Sequence, residues 1–316
     1  MTRRAPESFR GIYASIVCPM RADGSVDEAA LAAHAAAVAG VPGMAGLLVN
    51  GHAGENALLT REEARGVLRA ARRAAPGARI VAGINAEASQ AAAALAQDAE
   101  AEGADAVMVF APFSWALGAD RRTIVRHHQT IAGATGLPLF LFQGSVWAGR
   151  LAYDAGTLEA LLALPAVVAI KEGSWETSAH EVTCRIAGRC RPDVLVMASG
   201  DEHLLSTFML GSAGSLVSLA AVAPELVVAL DRAVTAQDFG AALACHRRLT
   251  PLAEAIYRAP PPGLVAARLK ACLHLLGALA APACRPPVGP LSAAEMAALA
   301  EALEAAGLPP AKDATP

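Results

Sequence analysis

The sequence predicts an α/β fold, a (β/α)8 TIM barrel with a C-terminal helical extension. Three observations carry that expectation. Short apolar runs recur at spacings of roughly 20 to 35 residues, each followed by a helical pattern. The runs are continuously apolar, as in parallel strands covered on both faces. The alternation stops near Ala233, beyond which only helical patterns remain.

Residues 11–17 form the first strand, and Ser25-Val26-Asp27-Glu28 reads as a capping box opening an alanine-rich helix. Residues 45–50 are the second strand, and Thr60-Arg61-Glu62-Glu63 is a second box, its helix running to about Ala75. Strands at 79–84, 104–110 and 137–142 alternate with helices at 89–102 and 121–134. A helix at 157–164 leads to the sixth strand, which ends in Ile170-Lys171-Glu172-Gly173. Helix 176–187, strand 194–198, helix 202–210 and strand 215–219 complete eight strands. Helices then follow at 237–257 and 263–278, and a third box, Ser292 to Glu295, opens a last helix ending near Gly307. The expected division is a barrel over 8–232, a three-helix extension over 233–308, and tails at 1–7 and 309–316.

Composition narrows the function. Hydrophobic residues reach 54% but charged residues are still 17%, so this is a soluble domain made apolar by its alanines. The longest apolar window, 216–230, is interrupted by Pro224 and Glu225, so no membrane span is expected. Arg3 and Arg4 have no apolar stretch behind them, which argues for a cytoplasmic protein without a secretory signal. Net charge is −3 with scattered basic residues, Arg72-Arg73 and Arg121, Arg122 and Arg126 reading as solvated helix faces, so nucleic acid is not an expected partner. The six cysteines, at 18, 184, 190, 245, 272 and 284, form no CxxC pair and read as reduced, buried small hydrophobes.

Several patterns carry no chemistry. Asp201-Glu202-His203 cannot all face one ion, and Asp201 reads as a helix N-cap. His127-His128 lacks an acid at metal-site spacing and reads as a surface pair. Gly211 to Ser215 precedes the eighth strand, so it is no phosphate loop. No metal and no cofactor are expected.

Lys171 is the focus. A lysine closing an apolar strand either snorkels its charge into solvent or is desolvated into a neutral amine able to attack a carbonyl. Lys171 stands in a wider pattern: Gly51-His52-Ala53-Gly54-Glu55 after the second strand, Glu102-Gly103-Ala104-Asp105 at the fourth, Ser199-Gly200-Asp201-Glu202 after the seventh, and Arg285-Pro286-Pro287-Val288 near the end. In order and spacing the chain resembles the dihydrodipicolinate synthase / N-acetylneuraminate lyase family of Schiff-base-forming, class I aldolases, over nearly its whole length.

The resemblance implies that Lys171 forms an imine with pyruvate or a longer 2-oxo acid. It implies that the backbone amides near His52 and Ala53 hold the substrate carboxylate, although the family's hydroxyl side chains are absent there. Gly51, Gly200, Leu216 and Phe142 complete the expected substrate-binding set. Phe142 stands where the family has its proton-relaying tyrosine. The arginine that grips a second carboxylate falls near Trp147, and the tyrosine contributed across the subunit contact falls near Ser114. Dihydrodipicolinate synthesis itself is therefore not expected. Phe113, Phe142 and Trp147, with Trp115 nearby, would give an apolar mouth, and Glu55 would tie down loop amides. His52 is the candidate replacement for the missing relay, since imidazole titrates near working pH.

The reading is a lyase, aldolase or dehydratase, acting on a 2-oxo acid such as pyruvate or a 2-keto-3-deoxy sugar acid. The alternative is a family member that has lost turnover and binds 2-oxo acids as a sensor or scaffold. The resemblance also implies a homotetramer or homodimer.

Overall fold

The computed structural model describes residues 5–144 and 151–311. Eight parallel strands close into a barrel in chain order: β1 (Gly11–Ser15), β2 (Met44–Val49), β3 (Arg79–Ile84), β4 (Ala106–Val109), β5 (Leu139–Gln143), β6 (Val167–Glu172), β7 (Leu195–Ala198) and β8 (Gly214–Val217). Around and beyond them lie α1 (Glu28–Ala39), α2 (Arg61–Ala74), α3 (Ser89–Ala101), α4 (Arg121–Ala134), α5 (Ala155–Leu162) and α6 (Thr177–Cys190). The series continues with α7 (Leu204–Met209), α8 (Leu219–Val222), α9 (Pro224–Thr235), α10 (Phe239–Ala253), α11 (Val265–Leu275) and α12 (Ala293–Ala305). This is the TIM barrel with C-terminal helices that the alternating runs imply.

Local chemistry starts the helices. Thr60 and Ser292 each accept a bond from the amide three residues on, while Glu63 and Glu295 reach back to the cap amide. Each such cap stabilises its helix by about 1 kcal/mol. The first expected box is wrong by two residues. Asp27 caps α1 by accepting from the Ala30 amide, and Ser25 instead turns back to Asp23. An adjacent carboxylate is as good an N-cap as a hydroxyl, and it stands nearer the first apolar turn.

The strand pleat sorts side chains onto two faces. Outward residues such as Leu47, Val107, Leu141 and Ile170 pack under the helices. Inward residues such as Tyr13, Leu48, Met108, Phe140, Met197 and Leu216 fill the barrel. The N-terminal end is closed by Phe9, on a 3-10 turn over Pro6–Phe9. Its ring meets Phe140 edge-on at 5.2 Å, and the Arg79 guanidinium lies 5.5 Å over it. One end of the barrel is thus sealed, and the other is left for chemistry.

The C-terminal helices border that open end. After α10 the chain takes a π-helical turn, Glu254–Arg258, and α11 then packs against the turn that follows β2. Extra backbone in a π turn re-aims side chains and recurs at functional sites. All six cysteines are unpaired, but only Cys18 and Cys272 are buried and Cys190 is exposed, so the expectation of uniformly buried thiols fails. Among the described residues, no helix is long and apolar enough to cross a membrane.

Candidate active site

Continuing each strand by one pleat beyond the barrel core generates the site. Two residues past inward Tyr13, Phe140, Ala169, Met197 and Leu216 come Ser15, Phe142, Lys171, Ser199 and Ser218. All five line a cavity of about 650 Å³ at the C-terminal lip. Register places Phe142 directly beside Lys171 across β5 and β6. Glu172, one residue on, faces outward, where it accepts from Ser174 Oγ at 2.9 Å and meets His180 Nδ1 at 3.5 Å. Gly173 then lets the Phe142 ring lie close, since a Cβ there would stand 2.9 Å from that ring.

Lys171 is buried, and among the described residues it has no salt bridge or hydrogen bond. Its ammonium lies 5.6 Å over the Phe142 ring. Burial pushes its pKa down to about 8, against the opposing pull of the Asp201 carboxylate. The strand therefore delivers an amine that loses its proton far more readily than an exposed lysine.

The loop after β2 forms a 3-10 turn over His52–Gly54. The amides of Gly54, Glu55 and Asn56 bond back within the loop. Those of His52 and Ala53 have no partner among the described residues, leaving two N–H groups beside the cavity that both residues line. His52 is an exposed residue, but its ring is walled by Phe110 at 4.2 Å, Phe142 at 5.4 Å and Phe113 at 6.4 Å. Lost hydration first, and the Lys171 charge second, lower its pKa, so the imidazole is neutral at neutral pH. Glu55 does not tie down loop amides. Buried and with a left-handed backbone (φ 54°), it forms an ion pair with Lys270, which also donates to the Ala283 carbonyl at 2.9 Å.

Asp201 is not a helix cap. Its Oδ1 accepts from the Leu219 amide and from the Tyr257 hydroxyl, each at 2.7 Å, and Ser218 Oγ lies 2.7 Å from that same hydroxyl. A carboxylate in this sequence position satisfies a cap pattern, but α7 begins three residues later and gets no side-chain cap. Burial pushes the Asp201 pKa up to about 6, against the hydrogen bonds from Leu219 and Tyr257 and the Lys171 charge. Burial and the Asp201 charge hold the Tyr257 phenol protonated. Trp175, in the left-handed region at φ 64°, packs on Tyr257 at 5.1 Å. That backbone state costs a bulky residue about 1–3 kcal/mol and is maintained where surroundings over-determine it.

The residues expected from the sequence separate by depth. Lys171, His52, Ala53 and Phe142 line the cavity. Leu216 faces inward one layer too deep and is fully buried in the barrel core, so Ser218 holds its expected place. Gly51 lies behind the lining, against Ser15 and Leu48, and Gly200 sits against His203. Phe113 lines the mouth, but Trp115 turns away and packs on His127 at 5.3 Å. His127 and His128 are buried rather than on the surface: Ile124, His127, His128 and Ile131 make the inner face of α4, and Ser89 and Tyr153 reach the two rings. Trp147 lies outside the described residues. Ser114 donates its amide to Glu87, not toward Lys171. Sequence reasoning missed Tyr257, Trp175, Ser15 and Ser218. The serines had a signal, since each stands one pleat beyond a large core residue, whereas Tyr257 had none.

Comparison with known proteins agrees with this fold. Residues 8–306 match the pattern of the dihydrodipicolinate synthetase family. A 4-hydroxy-tetrahydrodipicolinate synthase of Moorella thermoacetica is 33% identical over 298 residues, covering 94% of this chain and 98% of that protein. The crystal structure of a dihydrodipicolinate synthase from Agrobacterium tumefaciens superposes with a TM-score of 0.85 at 26% identity, covering 95% of this chain and 99% of the other. A prophage protein of the dihydrodipicolinic acid synthase family from E. coli K12, solved in complex with pyruvate, has the same fold, with a TM-score of 0.87 at 23% identity over 95% of this chain and 99% of that one. With Lys171 at the lip of the sixth strand, unpaired among the described residues, this chain belongs to the dihydrodipicolinate synthetase family of class I, Schiff-base-forming lyases.

Proposed function

We propose that the protein forms an imine between Lys171 and a 2-oxo acid whose distal part is apolar, and that it makes or breaks a C–C bond, or eliminates water, without a cofactor. Dihydrodipicolinate synthesis is not its reaction on this reading, although curated relatives carry the name of that synthase. The observation that carries it is the lone buried amine facing a cavity of about 650 Å³, several times the size of pyruvate.

The neutral Lys171 amine attacks the C2 carbonyl, and the resulting iminium withdraws electrons from C3. The amides of His52 and Ala53, without partners among the described residues, would hold the C1 carboxylate. Neutral His52 is able to accept a proton from the substrate, which Phe142 cannot. Leu58, Phe113, Trp175, Val265 and Val288 surround the remaining volume. Among the described residues lining it, Lys171 is the sole lysine and there is no arginine, so a second carboxylate would be buried without a counter-charge. The same reading extends to assembly as a homodimer or homotetramer, which a monomer by light scattering at micromolar concentration contradicts.

Product analysis after incubation with pyruvate plus aspartate semialdehyde, and with a panel of longer 2-oxo acids, tests the assignment. Turnover of a 2-oxo acid with an apolar distal group, and none of the semialdehyde, is expected. Rapid condensation of the semialdehyde would overturn the substrate assignment.

A further inference from the structure

A Schiff-base site must move two protons before any C–C chemistry starts. The ammonium must lose one to become a nucleophile, and the carbinolamine hydroxyl must gain one to leave as water. Phe142, the side chain beside Lys171 on β5, has no exchangeable proton. Asp201 lines the same cavity beyond salt-bridge distance of Lys171, its carboxylate accepting from the Tyr257 hydroxyl at 2.7 Å, with Ser218 Oγ 2.7 Å beyond. Lys171, Asp201, Tyr257 and Ser218 all line the same cavity.

We propose that Asp201 is the proton acceptor and donor of imine formation at Lys171, with Tyr257 and Ser218 as positioning residues that hold its carboxylate. This deepens the Schiff-base reading and rests on it. The Asp201 carboxylate takes one proton from the Lys171 ammonium through one bridging water, and the free amine adds to the C2 carbonyl. A proton shifts from nitrogen to oxygen within the adduct, giving the neutral carbinolamine. The Asp201 carboxyl then returns its proton to the hydroxyl, the C–O bond breaks, and water leaves. Ammonium and ketone go in, iminium and water come out, and Asp201 ends as it began.

Geometry favours this group for three reasons. Asp201 spends only Oδ1 on its bonds to Leu219 and Tyr257, so Oδ2 is without a partner among the described residues. Tyr257 arrives on the π turn, is buried, and is pinned by Trp175, so the carboxylate is held in place. Burial also brings the two groups together in acidity, Asp201 up to about 6 and Lys171 down to about 8, which lowers the cost of passing a proton between them. The charged and titratable groups facing Asp201 are Lys171 from β6, Tyr257 from the π turn, and neighbouring Glu202, itself neutralised by Arg258.

The test is the rate of capture of pyruvate on Lys171, quenched with borohydride at timed intervals and read by peptide mass. Asp201→Asn is expected to slow capture about 100-fold, the low end for loss of a general acid–base group. Tyr257→Phe keeps the ring against Trp175 and is expected to slow it about tenfold, the effect of one lost hydrogen bond to a charged group. Tyr257→Phe must also move the acid limb of the rate–pH profile upward, because a carboxylate that loses a donor holds its proton more tightly; a merely structural role would leave that limb in place. Thermal unfolding confirms that each variant is folded, and Tyr257→Phe serves alone if Asp201→Asn is not. Capture at the wild-type rate with an unmoved acid limb in Tyr257→Phe overturns the relay and leaves the Schiff-base reading standing. Absence of any Lys171 adduct in the wild-type protein overturns both.

Discussion

Among the described residues two lysines are buried, and their surroundings differ in every respect that matters. Lys270, on α11, meets the Glu55 carboxylate and the Ala283 carbonyl, so its charge is matched. Lys171, on β6, has the face of Phe142 and an open cavity. The matched lysine fastens the C-terminal helices to the loop after β2. The unmatched one is held in readiness for a carbonyl. Burial alone does not mark a reactive amine; burial without a contact ion pair, facing a cavity, does.

The contrast is broken most severely by Lys171→Ala, which should abolish borohydride-trapped adducts and turnover while leaving stability equal or higher, since an unpaired buried amine is removed. Retained turnover would place the chemistry elsewhere. Lys270→Met should do the reverse, leaving Glu55 buried and uncompensated at a cost of about 3–5 kcal/mol, measured by urea unfolding. Its folded fraction should still be captured at Lys171. Adding Glu55→Gln should recover much of the loss, and a Lys270→Met change below about 1 kcal/mol would show that the pair is not structural.

A third effect is one of pH. Capture should rise as pH increases through about 6, where Asp201 becomes a proton acceptor, and fall above about 8, where Asp201 has no proton left to return once Lys171 is neutral. Because the folded pKa lies below the ordinary 10.5, the unfolded chain binds more protons between those values, and stability gains with pH across that window. The penalty below pH 8 is about 3 kcal/mol, converting the shift at about 1.36 kcal/mol per unit. Urea unfolding of the wild type and Lys171→Met at pH 7 and pH 10 isolates it: the variant should lack that gain. The smallest effect belongs to Phe142→Leu. Losing a cation–π contact of about 0.5–1 kcal/mol disfavours the ammonium and should move the alkaline limb of capture down by less than about one unit. An upward shift would mean that the ring does not face the charge.

Much of this was legible in the sequence because it is periodic or local. The eight strand–helix beats, the caps at Thr60 and Ser292, and a lysine closing an apolar strand are patterns within a few residues. The two histidines of α4 were misread as a surface pair, although Ile124, His127, His128 and Ile131 repeat at the spacing of one buried helical face. What stayed hidden depends on contacts between distant segments. Asp201 looks like a cap until Tyr257, 56 residues on, donates to it. Glu55 looks like a loop brace until α11 brings Lys270 beneath it. Leu216 and Ser218 differ only in depth along one strand, which a strand pattern does not reveal until register closes the barrel.

The most direct measurement sets the two lysines against each other. The intact protein is incubated with pyruvate, reduced with borohydride, digested, and the adduct located by peptide mass. Modification of Lys171 with Lys270 untouched is the expected result. An adduct on Lys270, or on neither, would contradict the assignment of Lys171 as the imine-forming residue.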